Sequence, residues 1–375
     1  MGNSVGCAWK AWGDVMKTIL HITECLGSGV LNYVKNITTW QVKDYKVVVA
    51  YSVRPETPEN FKNQFDKRVQ FIKVNGFTRE IEPKNDLKAF IHIKKIVKKL
   101  NPDLIHLHST KAGILGRWAI NCDKYKVLYS PHAYSFLMQD VSIRKRNLYK
   151  LIERLSNRKN CLTIADIDGE LEASKQVTKN AICIPNGINP DEMDEIKEQA
   201  KPLVEKFDKT TVCLSGKIVP QKNPKLFNEI AEALPECNFL WIGAGPLEHE
   251  LKSPNITITG WVSRPEAVAK IMSSDIFLFT SLWESLSIAL MEVMYLEKPC
   301  VVSKCDGNKD VIKTGVNGYL CDKKEEYVEA IGNIINDKDL LQELGQNAKS
   351  DIITKFNVKL IEGEYRKLFH EIGIE

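Results

Sequence analysis

The chain has 375 residues, 43% of them hydrophobic, which is enough to build the cores of two ordinary domains. Its formal charge of +4 is too small to call for nucleic acid, and no run of about 18 apolar residues is present to span a bilayer. The ten cysteines form no C-x-x-C pair, and the nearest two, Cys300 and Cys305, have no histidine beside them. Reduced core thiols of a cytoplasmic protein are expected, not a metal knuckle or a disulfide framework.

Residues 1–15 (MGNSVGCAWKAWGDV) carry no periodic pattern, and they are not expected to act as a secretory signal. They are expected to derive from an upstream start or a cloning remnant, and Gly6 stands where an acylation signal beginning Met-Gly needs Ser or Thr. From Thr18 onward apolar β-rich runs alternate with helical patterns, as stacked βαβ units on a parallel sheet require. Strands are expected over 18–23, 46–51, 69–74, 103–107, 126–130, 161–165 and 181–184, with helices over 30–42, 87–100 and 143–155. The loop after the first strand holds Gly27 and Gly29, alone only a tight-turn signal because the third glycine of a dinucleotide fingerprint is missing. His108 and Ser109 close a strand in HLHSTKAG, and His132 follows another in SPHAYSFL, at strand ends where an open α/β sheet binds its ligand. The tract IRKRNLYKLIERLSNR (143–158) sets Ile143, Leu148, Leu151, Ile152 and Leu155 among six basic residues. It reads as an ordinary sheet-packing helix with a solvated basic face or as an anionic-membrane contact, to which Phe136, Leu137 and Met138 would add. Asp166 and Asp168 form a D-x-D pair at a helix start; helix capping accounts for them, and no metal is expected there.

The turn cluster PNGINP (185–190) and the charged stretch 191–208 carry the expected domain boundary. A second alternation begins with strands over 211–215, 239–242 and 256–259. In LSGKIVPQKNP the first strand ends at Gly216, followed by Lys217 and Lys222, cations suited to a diphosphate. Further on, DIFLFTSLWESLSIALMEVMYLEKPCVVS places a strand over 275–280 and a helix over 286–296, so Glu284 lies in the turn and Glu292 inside the helix. Ser285 or Ser287 can cap that helix, and with Leu286 they line a terminus whose N–H groups favour an anion. Glu292 lies roughly 7 to 8 Å further along the axis, within reach of a ribose attached to that anion.

Those motifs, in that order and with CDGNKDVIKTGVNGYL after them, resemble the E-x7-E retaining glycosyltransferases known as family 4, or glycosyl transferases group 1. The resemblance runs from Met16 to nearly the end. It implies an α/β GT-B fold: two Rossmann-like domains with parallel sheets facing across a cleft, at 16–190 (acceptor side) and 205–356 (nucleotide-sugar side), with residues 357–375 crossing back as a helix. It implies Glu284, His132 and Lys222 as catalytic groups and Gly216, Lys217, Lys222, Ser285, Leu286, Ser287, Glu292, Gly27 and Gly29 at the donor, with His108 and Ser109 towards the acceptor. Most relatives carry arginine where Lys217 stands, so a bidentate contact becomes a point charge. The implied co-substrate is a nucleotide diphosphate sugar, of UDP type, with no metal or other cofactor. The HSTKAGILGR and PHAYSFL runs resemble bacterial capsule and O-antigen enzymes, which implies a glycan or polyprenyl-diphosphate-linked saccharide acceptor at the cytoplasmic membrane face. A nucleotide-sugar 2-epimerase or a non-catalytic nucleotide-sugar-binding protein would share the fold.

Overall fold

The computed structural model describes residues 16–374 apart from 56 and 79; the expectation for residues 1–15 lies outside the described residues. The first sheet consists of β1 (Thr18–Thr23), β2 (Lys46–Tyr51), β3 (Gln70–Lys73), β4 (Leu104–His108), β5 (Lys126–Ser130), β6 (Cys161–Ala165) and β7 (Ala181–Cys183). The second consists of β8 (Thr211–Ser215), β9 (Asn238–Ile242), β10 (Ile256–Ile258), β11 (Ile276–Phe279), β12 (Cys300–Ser303) and β13 (Gly318–Cys321). Their orders are β3-β2-β1-β4-β5-β6-β7 and β10-β9-β8-β11-β12-β13, with every pairing parallel. Each order reverses once, between β1 and β4 and between β8 and β11, and an open sheet takes its ligand at such a reversal, outside the carboxyl ends of the strands. Helices cover both faces, so the strands are apolar runs without alternation; Ile276, Phe277, Leu278 and Phe279 are all fully buried.

The charged stretch after PNGINP is mostly helix, not an open linker. Asn189 caps it by accepting from the Asp191 N–H, Pro190 starts it and Asp191 and Glu192 fill its first turn. Met193, Ile196 and Ala200 then recur on one face and join the core of the second sheet. Where the chain crosses from one core to the other, Ile188 N–H donates to Phe356 O and Val358 N–H to Ile188 O. A Cβ on Gly187 would lie 2.3 Å from Phe356 O, so this crossing depends on glycine. The helix Val358–Glu371 then packs Tyr365, Leu368 and Phe369 into the first sheet's core beside Trp40.

The basic helix Ile143–Ser156 is built inside out. Glu153 and Ser156 face the protein while Ile143, Leu148, Leu151 and Leu155 are 58%, 50%, 51% and 65% exposed. The cause is an anchor: the Glu153 carboxylate accepts from the Arg117 guanidinium at 2.5 Å and from Tyr129 OH at 2.9 Å, all buried. Phe136, in contrast, is buried and stacked on Tyr134, so it cannot reach an interface. No helix of the described residues is long and apolar enough to cross a membrane.

Candidate functional site

At the reversal of the second sheet, β8 and β11 deliver Lys222 and Glu284 to one another. Lys222 Nζ donates to Glu284 Oε1 at 2.6 Å, with side chains 14% and 9% exposed, and lies 4.1 Å from the centre of the Phe279 ring. The two turns are stitched together: Leu282 N–H donates to Gln221 O, Gln221 Nε2 to Trp283 O, and Thr280 Oγ1 to Lys222 O. Gly216 contributes space. A Cβ there would lie 3.3 Å from Lys222 Cε, while its N–H is bonded to Ile242 O and its carbonyl to Trp241 Nε1. Lys217 is exposed beside it. Below the Glu284 turn, Gly307 comes so close that a Cβ would lie 2.0 Å from Ser285 O.

The helix after Glu284 runs Ile288–Tyr295, and Ser287 caps it through Leu290 N–H. Ser285 Oγ is buried with no hydrogen-bond partner, whereas the Leu286 side chain belongs to the core. An unpaired buried hydroxyl next to a helix start is suited to an oxyanion ligand. Glu292 Oε1 accepts from Arg264 at 2.6 Å; Arg264 also donates to Glu192 Oε1 at 2.6 Å, and Glu192 accepts from Lys35 at 2.6 and 2.7 Å. Four charges in series thus run from the helix Ser28–Asp44 of the first domain to Glu292, lining a recess with Asn32, Asn36 and Gly187. Lys35, Glu192 and Arg264 carry no motif in the sequence; only proximity reveals them.

In the first domain His132 and Ala133 both hold left-handed backbones, with φ of 51° and 75°. Such a pair persists only where its surroundings over-determine it. Here His132 Nδ1 bonds Asp166 Oδ2 at 2.8 Å and Nε2 bonds His108 Nδ1 at 3.1 Å, while Glu170 accepts from both Ala133 N–H (2.7 Å) and Asp166 N–H (2.9 Å). Burial pulls the His132 value down, but the Asp166 carboxylate outweighs it and raises the value. Burial, followed by the charge of Asp166, pushes Glu170 up to about 7. Glu170 was not legible in sequence. Asp166, read there as half of a capping pair, is His132's partner, and Asp168 is exposed, so the D-x-D run does not converge on one site.

His108 is fully buried, with Nδ1 bonded to His132 Nε2, so its ring is not open to solvent. Ser109, with φ of 70°, opens the helix Thr110–Ala119, and its buried Oγ has no partner. Gly27 is the residue before the helix Ser28–Asp44, and a Cβ on Gly29 would meet nothing within 4 Å, so no close approach compels that glycine.

Residues 28–166 match the family described as glycosyl transferase 4-like, and residues 195–351 that described as glycosyl transferases group 1. The UDP-Gal:alpha-D-GlcNAc-diphosphoundecaprenol alpha-1,3-galactosyltransferase of Escherichia coli is 27% identical over 323 residues, 78% of this chain and 81% of its own. Among solved structures, sucrose-phosphate synthase from Thermosynechococcus elongatus aligns with a TM-score of 0.77 at 16% identity, over 95% of this chain and 99% of that one. HepE from Anabaena, in complex with UDP and glucose, aligns with a TM-score of 0.76 at 16% identity, over 95% of this chain and 100% of that one.

Proposed function

The chain belongs to the group 1 glycosyltransferases of GT-B fold, and from that premise we propose that it moves a hexosyl or N-acetylhexosaminyl unit from a UDP-sugar, with retention, to a polyprenyl-diphosphate-linked saccharide of a surface polysaccharide. The observation that carries the reading is the Lys222–Glu284 pair at the second sheet's reversal, beside the unpaired Ser285 hydroxyl and the Ser287-capped helix. An ammonium has three donors, and Glu284 takes one, which leaves two for a diphosphate. That contact strengthens as the leaving group gains charge, so it lowers the barrier and not merely the binding energy.

In this proposal Glu284 orients hydroxyls of the donor sugar, Glu292 bonds the ribose and Lys217 meets the diphosphate from solvent. Both His132 ring nitrogens are engaged, so its backbone carbonyl is the group assigned to the developing positive charge. The acceptor hydroxyl attacks from the leaving-group side and passes its proton to the departing phosphate, and no enzymic base is needed. A double displacement would want two carboxylates flanking the anomeric carbon, and Glu292 is assigned elsewhere.

The lipid-linked acceptor draws support from the Escherichia coli relative's named substrate and from the exposed stripe Leu148, Leu151 and Leu155, flanked by Arg144, Arg154 and Arg158. Such a stripe suits an anionic bilayer surface on which that acceptor lies. The test is UDP release from a panel of UDP-sugars with and without a short-chain polyprenyl-diphosphate N-acetylglucosamine. Acceptor-dependent release is expected. A sugar changed without acceptor would mark an epimerase, and donor binding without turnover a sensor.

A further inference from the structure

His21, His106 and His108 lie on one face of the first sheet, at its reversal. His21 on β1 is in register with His106 on β4, and His108 follows two residues later, so all three side chains point the same way. Each is fully buried, and burial, the largest cause, holds their values down: about 4 for His21, well below the ordinary range for the other two. Burial thus favours the neutral imidazole, the form that ligates metal.

Each ring has one nitrogen turned outward onto a partner: His21 Nε2 to Gln41 Oε1 at 2.7 Å, His106 Nε2 to Ser130 Oγ at 2.9 Å and His108 Nδ1 to His132 Nε2 at 3.1 Å. The other nitrogens are His21 Nδ1, His108 Nε2 and His106 Nδ1, and one ligand atom from each of the three rings lies within 4.8 Å of the others. His21 Nδ1 and His108 Nε2 are 2.9 Å apart and share a proton, whereas His106 Nδ1 is buried with no hydrogen-bond partner at all. A fully buried imidazole nitrogen without a partner, in a cluster of three rings each bonded through its other side to a neighbouring residue, is the arrangement of a three-histidine metal site with its outer shell.

We propose that these three histidines bind a zinc-type divalent cation, separate from the donor site. Zn–N bonds of about 2.0 to 2.1 Å would set the nitrogens roughly 3.3 Å apart, a small opening from the His21–His108 contact. In the bound form His108 ligates through Nε2 and carries its proton on Nδ1, donated to His132 Nε2; the proton displaced from His132 Nε2 leaves to solvent, and His132 keeps Nδ1–H on Asp166. The ion thus fixes the His132 tautomer and staples β1 to β4.

The test uses tag-free full-length protein. Stoichiometric zinc is expected in protein grown with zinc, and Co2+ added to chelator-treated protein should give the intense visible absorption of a tetrahedral site. His106→Asn should abolish the cobalt band, Gln41→Met should weaken affinity on the order of 10- to 100-fold, and the exposed His249→Asn should change neither. Wild-type protein that holds no zinc and gives no tetrahedral band overturns the proposal, as does a His106→Asn protein that binds equally well. If His106→Asn fails to fold, the wild-type cobalt spectrum decides alone.

Discussion

Lys222→Ala separates stability from catalysis at the Lys222–Glu284 pair. Removing the lysine strands a carboxylate that is 9% exposed, and breaking a largely buried pair costs on the order of 3 kcal/mol. Part of that loss is the contact with the Phe279 ring, worth about 0.5 to 1 kcal/mol. With Glu284→Gln already in place no charge is stranded, so the same lysine deletion should cost only about 1 kcal/mol. A double-mutant cycle by urea unfolding would then return a coupling near 2 kcal/mol. Turnover should behave differently: at saturating donor, Lys222→Ala should lower kcat roughly 100- to 1,000-fold, because the contact is strongest with the departing diphosphate. Additive stabilities would refute the pairing argument, and near-wild-type kcat would refute the leaving-group role.

Glu292→Ala should mainly weaken UDP affinity, as expected when a contact common to ground and transition states is removed, and calorimetric titration with UDP checks it; unchanged affinity would rule out the ribose assignment. Glu24 gives a pH dependence: burial, opposed by Arg54 and Lys111, pushes its carboxyl from 4.5 up to about 7. Its contribution to stability is therefore fully present below pH 4.5 and lost as pH rises through 7, a change on the order of 3 kcal/mol. Glu24→Gln should flatten urea-unfolding stability between pH 5 and pH 8, and an unchanged slope would refute this. Leu151→Glu with Leu155→Glu should reduce binding to anionic vesicles at least tenfold with little change in fold stability, since both residues are exposed. Equal vesicle binding would remove the membrane role of that stripe.

Both halves of the fold were legible because periodicity and strand-end glycines are local signals. The strand over 275–280 is shorter by one residue at each end (Ile276–Phe279), and the helix over 286–296 runs Ile288–Tyr295, its first two residues taken up by the turn and its last by the C-cap. The helical linker was hidden by its charge, its buried face being only Met193, Ile196 and Ala200. The basic helix left two readings open, a core-facing or a membrane-facing apolar stripe; the buried Arg117–Glu153 pair turns the leucines outward, and a pair separated by 36 residues leaves no pattern to decide between them. Long-range partners were invisible for the same reason. Nothing local links Glu292 to Lys35 through Arg264 and Glu192, or His21 to the H-x-H of β4.

The measurement that bears most directly on the central claim is the anomeric configuration of the product, read from proton coupling constants after transfer from an α-linked UDP-sugar to a polyprenyl-diphosphate saccharide. An α-linked product is expected, with UDP released in equal amount. A β-linked product would contradict the same-face transfer assigned to Glu284 and Lys222.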